Sequence, residues 1–207
     1  MSNNPYNENY YKSLNYTDYL SRETKYEKTA EELDELLGKF FSYDTRKNMG
    51  ILDYGGAVGF LCQGFKRLGY IDVVNCELSD WAREESKKKN IESVAPEYCF
   101  DYPTHWDLIT ALDVFEHMTD RQIETLLLRC DTQFLVVRIP CAEGIGKTFH
   151  LEVSKKDPTH INIKSASEWE TFIKRVGGFN AVLPLRLKTI YDSPGVFCAL
   201  FIKEGED

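Results

Sequence analysis

From Gly50 onward, short apolar runs alternate with amphipathic stretches along this 207-residue chain. The runs at 50–54, 72–77, 107–112, 134–139, 181–188 and 196–202 have the length and the β-branched or aromatic content of buried strands. Between them, residues 59–68, 79–90, 120–130 and 167–176 carry apolar side chains at three- and four-residue intervals, which predicts helices. Strands that alternate with helices predict an α/β fold, a mostly parallel sheet covered on both faces.

Upstream, Thr29 with Glu32 forms a capping-box pattern, and Leu33, Leu36, Leu37, Phe40 and Phe41 follow at helical spacing, predicting a helix over 30–42. The first 27 or so residues hold Tyr6, Tyr10, Tyr11, Tyr16, Tyr19 and Tyr26 among polar neighbours, which suits an arm that packs on the domain. The expected division is therefore an arm and helix over 1–45, serving as lid or packing segment, and one domain over 46–207.

Composition narrows the functional classes. A formal charge of -8 argues against a broad grip on nucleic acid or anionic lipid, so a small-molecule partner is expected. The six cysteines are scattered, without a C-x-x-C pair, and read as core thiols in a reducing compartment. The same scatter predicts no metal site, since zinc ligands come at close paired spacing. No signal-peptide core and no run near the roughly 18 apolar residues of a membrane span is present, which gives a cytoplasmic expectation. The oligomeric state stays open.

Chemistry concentrates first in Asp53-Tyr54-Gly55-Gly56-Ala57-Val58-Gly59, between a strand and an amphipathic helix. Glycines at such a turn let backbone approach a ligand without an intervening Cβ. Glu77, 22 residues after Gly55, closes the next apolar run, where a carboxylate accepts hydrogen bonds from ribose hydroxyls.

Together with Asp107-Leu-Ile-Thr-Ala-Leu-Asp-Val-Phe-Glu-His117, these motifs resemble those of class I S-adenosylmethionine (SAM) dependent methyltransferases over about residues 48–203. The resemblance implies a Rossmann-like, doubly wound seven-stranded sheet with an antiparallel last strand, and SAM as cofactor. It places Asp53 and Gly55 near the methionine moiety, Glu77 at the ribose, Asp101 at the adenine amino group, and Asp113 and Val114 beside the cofactor, with Gly56, Ala57, Gly59 and Leu78 also binding it. The family writes the loop D-x-G-x-G-x-G, and Ala57 replaces the middle glycine. Glu116 and His117 match the family's Glu-His pair after the fourth strand. Carboxylates at these positions suit a ligand carrying a sulfonium and an ammonium.

The segment 140–162, rich in turn formers, holds two of the four histidines and is the expected acceptor region. His160 is the first candidate for a general base and His150 the second, because imidazole titrates near working pH. Arg138, His117 and Trp169 are the candidate acceptor contacts. Arg138 ends an apolar run, where a cation needs either an anionic ligand or a pairing acid such as Asp113. Trp169 has an alternative place in the core. The stretch Asp157-Pro-Thr-His160 followed by Ser165-x-x-Glu168-Trp169 resembles small-molecule and sugar-directed methyltransferases, which implies transfer to a hydroxyl or amine. The rival readings are a catalytically silent scaffold of this fold and a protein or RNA-ribose methyltransferase. A nicotinamide enzyme is disfavoured, because Phe60 stands where its third glycine belongs. Base amino methylation is disfavoured because Leu112-Asp113-Val114-Phe115 lacks the Pro-Pro of such enzymes.

Overall fold

The structure is a computed structural model that describes residues 5–12, 18–100, 105–190 and 193–203. Seven strands form one sheet, β1 (Ile51–Tyr54), β2 (Val73–Cys76), β3 (Glu92–Val94), β4 (His105–Leu112), β5 (Asp131–Pro140), β6 (Ala181–Pro184) and β7 (Val196–Ile202). Their order is β3-β2-β1-β4-β5-β7-β6. Pairing is parallel in β1–β2, β2–β3 and β4–β5 and antiparallel in β5–β7 and β7–β6. This is the Rossmann-like α/β sheet expected, with β7 antiparallel. The three residues of β3 are too few for a periodic signal and escape sequence reading.

The chain folds into two compact units. The first comprises Met1–Tyr102 with Leu187–Ile190, and the second Pro103–Arg186 with Tyr191–Asp207.

In the first unit, α1 (Glu23–Leu37) packs on α3 (Phe60–Arg67). Gly64 permits the approach: a Cβ there would lie 2.7 Å from the Ala30 Cβ and 3.0 Å from the Glu27 Cα. The helix expected over 30–42 begins seven residues earlier, so Thr29 and Glu32 are no capping box. Both lie inside α1 and serve tertiary contacts. The Thr29 hydroxyl meets that of Thr189 at 2.9 Å, and the Glu32 carboxylate accepts the N–H groups of Lys188 (2.7 Å) and Thr189 (3.1 Å). The predicted strand over 181–188 accordingly stops at Pro184.

A polar node fixes the end of α1. Asp34 accepts from Arg46 (2.9 Å), Lys47 (2.6 Å) and Tyr70 (2.8 Å). Arg46 and Lys47 belong to the short α2 (Tyr43–Lys47), capped by the Ser42 hydroxyl. Burial opposes the Asp34 charge, but the hydrogen bonds from Lys47 and Tyr70 outweigh it and hold its carboxyl below the ordinary value.

In the second unit, α5 (Asp120–Arg129) and α7 (Ala166–Gly177) pack together, with the short α6 (Glu152–Lys155) between them in the chain, and α5 and α7 open on capping boxes, Thr119 with Gln122 and Ser165 with Glu168. Gly178, left-handed at φ 69°, ends α7. All six cysteines are free and five are buried, as expected of core thiols. Among the described residues, no helix is long and apolar enough to cross a membrane.

Asp34→Ala leaves the buried Lys47 without its partner and is expected to destabilise the protein by about 2–3 kcal/mol. Because the folded-state carboxyl is depressed, its contribution is full above about pH 4 and lost as pH falls through the folded value. Urea unfolding at pH 7 and pH 3 checks both statements: the gap between wild type and variant should shrink at the lower pH.

Candidate functional site

In the first unit, β1 delivers Asp53, 3% exposed, and the chain then turns through Gly55 (φ 75°), Gly56, Ala57 (φ 48°) and Gly59 (φ 77°) into α3. Left-handed backbone is where glycine is favoured, and Ala57 keeps it at a cost of roughly 1–2 kcal/mol. Two contacts over-determine that conformation. The Ala57 N–H donates to Glu77 Oε2 at 2.9 Å, and the Ala57 carbonyl accepts from Asn75 Nδ2 at 3.0 Å. Gly55 N–H donates to the Cys76 carbonyl at 2.7 Å, so the loop is tied to β2 throughout. A Cβ on Gly56 would collide with the Asp53 carboxylate and the Asn75 amide.

Glu77, 5% exposed, follows β2 and also accepts the Ser79 N–H through Oε1 at 2.7 Å. Burial pushes its carboxyl upward, while the N–H groups of Ser79 and Ala57 work in the opposite direction. Leu78 is half exposed, and Ser79 caps α4 (Asp80–Lys87) by accepting from Ala82 N–H. Sequence reading missed Asn75, although an amide in an otherwise apolar strand is itself a signal of a buried polar role.

The aromatic arm covers this loop. Tyr11 and Tyr19 are buried in one cluster with Ala57, Val58, Phe60 and Ala82. The Tyr11 ring lies 5.3 Å from Trp81, and Tyr19 stacks on Phe60 at 6.0 Å. The Tyr11 hydroxyl hydrogen-bonds Glu77, and burial first, then the Glu77 charge, push its pKa well up.

The second unit holds a separate polar cluster. After β4, Asp113 adopts φ 58° and pairs with Arg138 of β5. Val114 leads into a 3-10 turn, Phe115–His117, whose Glu116 is 1% exposed. The Glu116 carbonyl accepts from Ile161 N–H (2.9 Å) and Asn162 N–H (3.0 Å), which brings the histidine-bearing loop onto this turn. His117 and His160 then lie ring to ring, centroids 4.6 Å apart and nearly perpendicular, with Phe149 against His160. His117 Nδ1 engages the Thr159 carbonyl (3.2 Å) and hydroxyl (2.9 Å), and Asp157 accepts the Thr159 N–H at 2.9 Å. Burial, then the neighbouring His160, holds His117 down at about 4. Burial likewise lowers His160, and burial and the Asp113 charge push the Glu116 carboxyl well up.

One expectation fares otherwise. Trp169 is fully buried in α7, packed near Phe115 and Phe172, so it is core and not an acceptor contact. Its place in the first turn after a capping box points its ring inward. His150 is exposed. Asp101 lies outside the described residues.

A family described as "Methyltransferase domain" matches residues 22–180. The chain belongs to this methyltransferase family. The family's cofactor is SAM. A SAM dependent methyltransferase from Archaeoglobus fulgidus is similar in structure at 15% identity, covering 89% of this chain and 99% of the other, with a TM-score of 0.63. Magnesium protoporphyrin IX methyltransferase from Synechocystis PCC 6803 with bound SAH is similar at 14% identity, covering 95% and 97%, with a TM-score of 0.62. Human N-acetylserotonin methyltransferase in complex with SAM is similar at 13% identity, covering 75% and 47%, with a TM-score of 0.54. No curated protein matches the sequence.

The first unit's residues suit this cofactor. Two carboxylates, Asp53 and Glu77, stand beside a turn in which a Cβ on residue 56 would meet the Asp53 carboxylate and the Asn75 amide. Of about four acceptor positions on the two Glu77 oxygens, the Ala57 and Ser79 N–H groups and the Tyr11 hydroxyl take three, which leaves one for a hydroxyl of the ligand. Glu77→Ala and Gly56→Val are both expected to weaken SAH binding at least tenfold by calorimetry. Binding within twofold of wild type in both would show that this loop does not hold the cofactor.

Proposed function

We propose that this methyltransferase moves a methyl group from SAM to a hydroxyl or amine of a small molecule, such as a sugar or nucleotide sugar. The observation that carries the proposal is the buried Glu77 carboxylate, locked by backbone N–H groups beside a glycine loop in which a Cβ on Gly56 would collide with Asp53 and Asn75. Asp53, Gly55, Gly56, Ala57, Gly59, Glu77, Leu78, Asp101, Asp113 and Val114 hold the donor. The arm and helix of residues 1–45 act as lid, with Tyr11 and Trp81 as an aromatic wall, and residues 46–207 form the methyltransferase domain.

SAM supplies an electrophilic methyl on a good leaving group, so the protein's part is alignment and removal of one proton. Arg138 and His117 orient the acceptor. His160 accepts the proton: burial keeps its imidazole neutral, and buried Asp157, its Oδ2 3.7 Å from Nε2, faces the ring. His150, exposed, is the second choice. The net acidity of the chain and its reduced, buried cysteines agree with a small neutral or cationic acceptor and a cytoplasmic setting.

The test is SAH release from SAM over a panel of hydroxylated and amino small molecules. His160→Asn is expected to lower kcat by about 10²–10⁴-fold while leaving SAH affinity unchanged. Tyr11→Ala should raise the SAH dissociation constant several-fold. SAH binding without turnover on any acceptor would move the assignment to a silent scaffold of the same fold.

A further inference from the structure

Glu116, His117 and His160 come from two separate stretches of sequence and converge. One carboxylate oxygen of Glu116 and one ring nitrogen of each histidine all lie within 4.8 Å of one another. Metal bonds of about 2.0–2.2 Å draw such donors to about 3–3.5 Å apart, so the set needs to contract by roughly an ångström.

Glu116 supplies an independent observation. Its side chain is 1% exposed, and its Oε2 has no hydrogen-bond partner. A carboxylate oxygen buried without a partner is costly, and a cation is the partner that its surroundings favour. Asp113 and Asp157 add negative charge around it, against the single guanidinium of Arg138, which already pairs with Asp113.

The histidines are prepared in the way ligands are. The Thr159 carbonyl and hydroxyl hold His117 Nδ1, which turns Nε2 toward Glu116 Oε1, 4.0 Å away. An outer hydrogen bond of this kind fixes the orientation of a metal-bound imidazole. Asp157 stands beside His160 and also anchors Thr159, so one buried carboxylate braces both rings.

We propose that Glu116, His117 and His160 bind a first-row divalent transition-metal cation, leaving coordination positions for oxygen atoms of the acceptor. Two imidazoles with one carboxylate favour such an ion over Mg²⁺ or Ca²⁺, which prefer all-oxygen sites. The inference rests on the proposed function and deepens it. His160 becomes a ligand in place of a proton acceptor, and the acceptor is one with an oxygen to offer the cation.

The experiment titrates tag-free, chelator-treated full-length protein with Co²⁺, followed by visible absorption and calorimetry, with SAH binding measured in parallel. One equivalent is expected to bind with ligand-field bands, and a matching concentration of Mg²⁺ should not displace it. Glu116→Gln and His117→Asn should each raise the Co²⁺ dissociation constant by more than about tenfold, the lower bound for losing even an outer partner. SAH affinity within a few-fold of wild type shows that both variants are folded. No saturable Co²⁺ binding at millimolar concentration, or binding untouched by both substitutions, overturns the site. Co²⁺ binding without SAH binding in the wild type leaves the metal site standing and removes the donor assignment.

Discussion

A buried carboxylate that accepts backbone N–H groups from two directions organises the first unit. Glu77 holds Ala57 through one oxygen and Ser79 through the other, so a single side chain joins the turn after β1 to the turn after β2. Removing it from water is expensive unless those bonds are made, and making them forces Ala57 into a left-handed conformation that an isolated alanine avoids. Asn75 then closes the ring of contacts from within β2. The glycines around this node are consequences: Gly56 must lack a Cβ because Asp53 and Asn75 already occupy that space.

The second unit solves a similar problem with less complete satisfaction. Asp113 and Arg138 neutralise one another, and Asp157 is held by Thr159. Glu116 keeps an oxygen with no hydrogen-bond partner in a buried setting. Asp113 shares with Ala57 a positive φ, so each unit stores backbone strain directly after a central strand. Strain of that kind persists where the surroundings dictate it, and both places carry the residues expected to meet ligands.

How much of this was legible in the sequence depended on the range of the interactions. The six longer strands, the four main helices and the glycine loop are written in local periodicity and spacing, and Asp53 lies in β1, Gly56 after it and Glu77 after β2, as those patterns place them in the chain. Thr29 and Glu32 misled because a capping box and a pair of mid-helix contacts look alike along the chain; their partners, Lys188 and Thr189, are more than 150 residues away. Trp169 was ambiguous until its burial was known. The scatter of cysteines pointed away from metal, yet Glu116, His117 and His160 meet through backbone bonds from Ile161 and Asn162 that no spacing rule encodes.

The grip of Glu32 on Lys188 and Thr189 also bears on the order of events during synthesis. The first unit is built from two stretches far apart in the sequence, since Leu187–Ile190 belongs to it. During synthesis α1 emerges early, and its N–H partners follow only after β4, β5 and β6 of the second unit have been made. Domains ordinarily fold as they appear, amino end first. Here one flank of α1 lacks those partners until Lys188 and Thr189 emerge, so a late-made segment completes the contacts of an early-made helix.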